Sequence, residues 1–412
     1  MPADTRIPPV WHLSILPLAV AQTVVWASIF YCFAGLLARW EADLGWTKTE
    51  LALSLTLALF ASAFCAPIVG RLIDRGHGRK LLSTGPVIGA GLLVLLSMVD
   101  SQWQFIGIWV AMGVAMSMSL YEPCFAFLTH HYGAGARRPI THVTLFAGFA
   151  GTLSFPLAFA VAEAGGWRAS VLVFAGLALL VVAPLTWFAT GRIEAALPHE
   201  PVETPPAPSG QNGAEAARAS PRSYLMHPLF WLIGVAFAAV GLSHGMIINH
   251  LMPLLQERQL HPETVVLAAS MIGPMQVVGR IVMVMVERHV SMVRITLVAF
   301  LSIAAGSLAL LSTGAVPELI VAFVVLHGAG IGVMSITRPV VTAELLGRKN
   351  FGAISGGIAS LGLVAFATAP LAAAGLWQIG GYSVVISVCL FSSVAAVMLV
   401  LLASRVSQRR TG

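Results

Sequence analysis

Gly70-Arg71-Leu72-Ile73-Asp74-Arg75-Gly76-His77-Gly78-Arg79-Lys80 is a short, strongly charged stretch set between two long apolar blocks, 51–70 and 81–99. Each block is long enough, at 1.5 Å per residue, to cross a hydrocarbon core of about 30 Å. The same alternation continues in both directions. Further blocks fall at 11–37, 103–128, 139–162, 169–190, 229–255, 264–286, 292–312, 318–343, 352–377 and 383–403, giving twelve in all. Only 10% of the chain is charged and 58% is hydrophobic, whereas an ordinary soluble domain carries roughly 25% charged residues. The expected fold class is an all-α membrane protein with twelve transmembrane helices.

The placement of charge orients these spans. With the N-terminus on the cytoplasmic side, 17 of the 23 Lys and Arg fall in cytoplasmic loops and tails. Arg39, Lys48, Arg168 and Arg258 fall outside, and Arg280 and Arg338 lie within spans. This positive-inside bias predicts both termini in the cytoplasm and a multi-pass protein of the cell inner membrane. It also accounts for the net charge of +6 without a nucleic-acid partner. Cys32, Cys65, Cys124 and Cys389 sit singly in apolar spans, a spacing that predicts small core residues and neither a metal site nor a disulfide framework. No cleavable signal is expected, because the first apolar block is too long and lacks a small-residue cleavage site.

Residues 193–225 are rich in Pro, Ala, Glu and Ser and poor in core-forming residues, which reads as a cytoplasmic linker. It separates an N-terminal six-helix bundle, 1–192, from a C-terminal one, 226–412. Three ordered pairs at nearly one offset support an internal repeat. Asp74-Arg75 pairs with Glu287-Arg288, Glu122-Pro123 with Arg338-Pro339, and Gly165-Gly166-Trp167 with Gly380-Gly381-Tyr382, spaced by 213, 216 and 215 residues. The expected architecture is two pseudo-symmetric bundles of six.

The stretch from Gly70 to Lys80 resembles the signature loop of the major facilitator superfamily, Gly-x-Leu-x-Asp-Arg-x-Gly-Arg-Arg/Lys, at Gly70, Leu72, Asp74, Arg75, Arg79 and Lys80. It departs from the family pattern in one respect: Gly78 follows Asp74 by four residues, so the turn is one residue longer. Glycine at position 70 is expected to let helices approach closely. The resemblance assigns Gly70, Asp74, Arg75 and Arg79, with their counterparts Glu287 and Arg288, to a conformational latch. Weaker resemblances accompany it. Gly166-Trp167-Arg168 is similar to a family turn, and Gly148, Gly151 and Phe155-Pro156 are similar to its antiporter motif, although Phe155 stands where that motif has Gly. Leu44 to Glu50 resembles the approach to the second helix in the monocarboxylate and oxalate-carrier branch. For such proteins the fold implies a central site and alternating access by two rocking bundles.

An ionised side chain at the bilayer centre costs at least about 2.5 to 3.5 kcal/mol, so each one needs a partner or a function. Glu122 and Arg338, at matching depths in spans four and ten, are the expected gate or proton-coupling pair. Equally, each could be a static partner within its own bundle. Arg280 follows Gln276 by four residues on one helix face, and its planar fork suits a carboxylate. An alternative role for Arg280 is a pair with Glu287. His327 and Arg338 are eleven residues apart, within about 20° of one face of a straight helix. His244 lies at similar depth in span seven, and for each histidine a satisfied packing contact or helix–helix hydrogen bond is the alternative reading. Gln22, Trp26 and Phe30 form a polar-aromatic stripe on span one, with helix packing as the alternative reading. Met112, Met116, Met118, Met283 and Met285 read as gap-filling thioethers.

These residues predict a secondary active transporter of small organic anions such as monocarboxylates, coupled to protons as a symporter, with Arg280, Gln276, His327, His244, Gln22 and Trp26 at the substrate. Efflux of drugs or amphipathic metabolites and a non-transporting substrate sensor are the alternatives. The partners expected are a small-molecule substrate, a proton and the lipid bilayer, with the chain acting as a monomer. No enzyme activity, cofactor or metal is expected, since no nucleophile, phosphate loop or ligand cluster is legible.

Overall fold

The computed structural model describes residues 11–197, 227–346 and 351–411, so most of the expected linker lies outside the described residues. Every regular element among the described residues is helical. Nine helical segments are long and apolar enough to span a bilayer when the bent segment Leu319–Met334 and Ile336–Leu346 is taken as one. Three are far too long for one crossing: Lys48–Leu96 has 49 residues, Arg138–Ala196 has 59 and Gly357–Ser407 has 51. The shortest of these would be about 74 Å of straight helix. Each therefore folds back, and the nine segments make twelve passes.

The reversals fall at glycines. Gly76 has φ 83°, Gly166 has φ 77° and ψ 172°, and Gly381 has φ 67° and ψ −169°. All three conformations strain a residue carrying a Cβ. Side-chain contacts confirm the folding back. Ser170 Oγ donates to the Ala158 carbonyl at 3.4 Å, although twelve residues of straight helix would hold them about 18 Å apart. Gly245 lies against Phe366 while the neighbouring Ser243 donates to the Cys389 carbonyl, which puts 366 and 389 at one level. In order, the passes are α1 (Leu13–Leu44), α2 (Lys48–Leu72), α3 (Gly78–Leu96), α4 (Gln102–Tyr132), α5 (138–165) and α6 (167–196). They continue as α7 (Pro228–Asn249), α8 (Pro262–Val286), α9 (Met292–Ser312), α10 (Leu319–Leu346), α11 (351–379) and α12 (382–411).

The repeat pairs noticed in the sequence coincide with helix irregularities. Gly166 and Gly381 both reverse the chain, and the aromatic that follows each is buried, Trp167 at 1% exposure and Tyr382 at 0%. Glu122-Pro123 follows a break at Leu120, whose ψ is −157°. Arg338-Pro339 follows a 51° bend between Met334 and Ile336. In each case proline removes a backbone donor just past the break.

Packing density divides the chain into two units, which speak to which segments touch rather than to sequence order. The first takes the described residues of Met1–Pro198 together with Ile247–Val277 and Pro370–Tyr382. The second takes those of His199–Met246, Val278–Ala369 and Ser383–Gly412. An aromatic group anchors the first: Trp40 packs edge-on to Phe105, Trp109 and Trp167, and Phe33 edge-on to Trp109 at 4.8 Å between centroids. The second is built on aliphatic and phenyl side chains of α7, α9, α11 and α12, among them Phe230, Ile233, Phe237, Phe300, Ile358 and Val400. Close approach is made by glycine in both. A Cβ at Gly113 would overlap the Ala58 carbonyl, joining α4 to α2, and one at Gly279 would overlap the Ala329 carbonyl, joining α8 to α10.

Candidate functional site

In the first unit, the break in α4 organises a polar and aromatic cluster. Pro123 has no N–H to give the Ser119 carbonyl four residues back. Gln22 of α1 supplies the missing donor, its Nε2 reaching that carbonyl at 2.8 Å. Gln22 is 2% exposed, and its Oε1 has no hydrogen-bond partner among the described residues. One turn on, the Trp26 ring lies 4.7 Å from Tyr121 and 5.1 Å from Phe30, with its Nε1 buried and unpartnered among the described residues. Tyr121 stacks on Phe125 at 5.0 Å, and Tyr31 meets Phe155 of α5 at 5.9 Å. Local geometry brings α1 in: Ala27–Tyr31 is a π-helical turn, and Ser154 of α5 donates to the Ala27 carbonyl at 2.9 Å. Glu122 is exposed in the first turn of the new helix that begins at Tyr121, where the helix dipole favours a carboxylate. The predicted Gln22 and Trp26 are thus brought together, beside Glu122.

In the second unit, His244 of α7 and His327 of α10 meet directly, Nδ1 of the first 3.2 Å from Nε2 of the second. Arg280 is 9% exposed, and its Nε donates to the Gly332 carbonyl at 3.0 Å. In a straight helix that carbonyl would accept from Ile336, which lies across the bend of α10. The bend also corrects the straight-helix alignment of His327 with Arg338. The two sit on opposite sides of a 51° change of direction, so a common face cannot be projected through it.

The signature stretch is placed differently from expectation in two respects. Among the described residues, nothing lies within 4 Å of where a Cβ of Gly70 would stand, so close helix approach does not account for that glycine. The turn is made at Gly76, whereas Gly78 is helical and packed so tightly on Phe127 that a side chain there would collide with the ring. Asp74 and Arg75 are exposed. Arg79 ties α3 to α6, its guanidinium 3.8 Å over the Trp187 ring and 3.7 Å from Glu194. Glu287 accompanies Arg288 in the turn after α8, and Gln276 is half-buried.

Sequence reasoning missed a junction within the first unit that links the start of α2 to segments from the second half of the chain. Lys48 lies 3.9 Å over the Trp377 ring and 3.0 Å from Glu41. Gln378 donates to Thr49 at 2.7 Å, and Trp377 Nε1 and the Tyr382 N–H both donate to Glu257, at 2.8 and 2.9 Å. His250 bridges the Tyr382 hydroxyl and the Pro370 carbonyl, each at 2.9 Å. Thr152 of α5 donates to the Ser270 carbonyl of α8 at 2.5 Å, the carbonyl that Pro274 leaves without a helical donor. These partners stand as much as 329 residues apart, and only the aromatic at the α11–α12 turn hinted at them.

A cavity of about 300 Å³ lies between α8, α9 and α10. Val278, Val282 and Val298 of its lining are 44%, 51% and 66% exposed, which marks a groove on the face that lipid tails would cover. Among the described residues no three His, Cys, Asp or Glu are grouped as metal ligands.

The chain is similar along nearly its whole length to a bacterial homologue of the human lysosomal transporter Spinster, solved inward-facing and unoccupied, with 14% identity, TM-score 0.68 and 97% of both chains covered. It is similar as well to the nucleoside transporter NupG, with 12% identity, TM-score 0.67 and coverage of 95% of this chain and 98% of that one. At such identities the likeness is one of fold. No curated protein sequence matches. The sequence pattern of the Major Facilitator Superfamily, however, matches residues 18–316, well over half the chain, and the chain belongs to that family of membrane transporters.

Proposed function

We propose that the chain is a proton-coupled secondary transporter of small organic anions such as monocarboxylates, working as a symporter in the cell inner membrane. In this reading it acts as a monomer with both termini in the cytoplasm. The observation that carries the anion is Arg280. A guanidinium held at 9% exposure in an apolar helix is costly unless it is used, and its Nε contact with the Gly332 carbonyl fixes the plane of the group. The planar fork of a guanidinium has the spacing of a carboxylate's two oxygens. Resemblance of the Leu44 to Glu50 stretch to the monocarboxylate branch supports the same class. Glu122 and Arg338 remain the proposed gate or coupling pair, and the loop at Asp74 and Arg75 the proposed latch.

A second reading, carriage of amphipathic or ring-bearing solutes, is favoured by the cluster of Trp26, Tyr31, Tyr121, Phe125 and Phe155. Thermal-shift measurement on the purified protein separates the two. Carboxylates are expected to raise the melting temperature of the wild type and to fail with Arg280→Gln. Selective stabilisation by hydrophobic cations, lost in Trp26→Ala and kept in Arg280→Gln, would sink the anion reading.

A further inference from the structure

His244 and His327, expected from the sequence at the substrate, meet each other directly, and their geometry is unusual for a packing contact. His327 is fully buried, the ninth residue of α10, with Phe323 at 5.3 Å from its ring and Gly306 of α9 against its backbone. His244 is partly exposed. Only one N–H fits between Nδ1 of His244 and Nε2 of His327 at 3.2 Å. If His244 donates, His327 carries its proton on Nδ1, and if His327 donates, that Nδ1 is bare. Either way His327 Nδ1 is buried with no partner among the described residues, so the neutral pair leaves a polar atom unmet whichever tautomers it adopts. One added proton converts the shared bond into an imidazolium–imidazole bond, which is charge-assisted and stronger. A second would set two N–H groups against each other. The capacity of the pair is one.

The acids of the helices around the pair stand far along them from it. α7 holds no titratable residue but His244, and 351–379 of α11 holds none at all. From α9 the charged group is Arg294, twelve residues before Gly306, and from α12 the nearest titratable group is Cys389, beside Ser243. From α8 it is Arg280, a cation, on the Gly332 carbonyl five residues along α10 from His327, with Glu263 seventeen residues before it in the first turn of α8; α10 itself adds Arg338 and, seventeen residues after His327, Glu344, both beyond its bend.

We propose that His244 and His327, in place of Glu122 and Arg338, which are then left to the gate, together form the site of the coupling proton, taking up one proton at the less buried residue, His244, and holding it as a shared imidazolium. With no carboxylate supplied by the neighbouring helices, the compensating negative charge comes from the substrate. Proton and anion then bind together, which is what symport requires. The second step rests on the anion reading above, whereas the proton site does not.

The test is histidine-selective ¹⁵N NMR of the full chain in nanodiscs, titrated from about pH 4 to about pH 9 around the ordinary histidine value, with and without acetate. Of the 12 histidines, two are expected to move together with the uptake of a single proton. Their titration disappears in His327→Gln, whose amide can keep a hydrogen bond without titrating. His244→Gln, at the more exposed ring, serves should His327→Gln not fold, as judged by circular dichroism and size-exclusion chromatography. Rings that stay neutral throughout, or that titrate separately with two protons, overturn the site. Acetate is expected to increase the protonated fraction at fixed pH. Joint titration that acetate leaves unchanged keeps the proton site and overturns the anion reading.

Discussion

Gln22 and Thr152 do one job at two places: each gives a hydrogen bond to a backbone carbonyl that a proline has left without its usual donor. Water does this at a protein surface, but a hydrocarbon core has none to offer. Pro123 leaves the Ser119 carbonyl to Gln22 and Pro274 leaves the Ser270 carbonyl to Thr152, whereas the Ala27 carbonyl that Ser154 meets also accepts from the Cys32 N–H through the π-helical turn. A buried carbonyl stripped of its donor costs about 1 to 3 kcal/mol. Gln22→Leu and Thr152→Val are each expected to destabilise the fold by that order, read as a lower melting temperature in detergent. Their effects should add, because the two carbonyls share no partner. A Gln22→Leu protein as stable as the wild type would mean that the α4 break is satisfied by other means. The same logic sharpens Arg280, which stands on the carbonyl beside the α10 bend and thus has a structural duty even where it also meets a solute.

At the scale of the element, the reversals at Gly166 and Gly381 share one backbone conformation, positive φ with ψ near 180°, which is open essentially to glycine alone and costs other residues about 1 to 3 kcal/mol. Gly166→Ala is expected to lose that much stability. Gly176→Ala, in a helix with open space around the added methyl, is expected to gain about 0.5 to 1 kcal/mol from its helix preference. Chemical denaturation of the two variants side by side checks both signs, and equal losses would refute the argument. Why some features could be read in the sequence and others could not follows from the range of the forces. Twelve spans are legible because each must present about 20 apolar residues to lipid, and the Gly-Gly-aromatic reversals because a local conformation demands a particular residue. The breaks at Leu120 and Met334–Ile336 were signalled only by Pro123 and Pro339, and taking α10 as straight misaligned His327 with Arg338. The hydrogen bond from His244 to His327 and the contact of Lys48 with Trp377 join residues 83 and 329 positions apart. Nothing local to either partner announces such a pairing.

For the whole molecule, the junction at Lys48, Thr49, Trp377 and Gln378 has the energetics of a contact made to be broken. The Lys48 side chain is 11% exposed, so its cation–π contact contributes up to about 2 kcal/mol, and an ordinary hydrogen bond about 0.5 to 1.5 kcal/mol. The links between the start of α2 and the end of α11 therefore sum to a few kcal/mol, the scale on which a ligand can shift a two-state equilibrium. By contrast, the buried aromatic group of Trp40, Phe105, Trp109 and Trp167, which joins α1, α4 and α6 of the first half to one another, has far more area to lose. Alternating access by rocking bundles requires contacts between the two halves of the sequence to open at one end of the molecule while others form at the opposite end. Thr49 and Gln378 meet through their side chains at 2.7 Å, so cysteines at the two positions come within reach of a short bifunctional thiol reagent. In a background lacking Cys32, Cys65, Cys124 and Cys389, Thr49→Cys with Gln378→Cys is expected to cross-link with a short bis-methanethiosulfonate reagent, seen as a gel shift that needs no substrate. Flux into proteoliposomes of the carboxylate selected by thermal shift should then stop, and should return on reduction. Flux that persists through a fully formed cross-link would show that this junction stays shut throughout the cycle, and the moving contacts would have to be sought elsewhere.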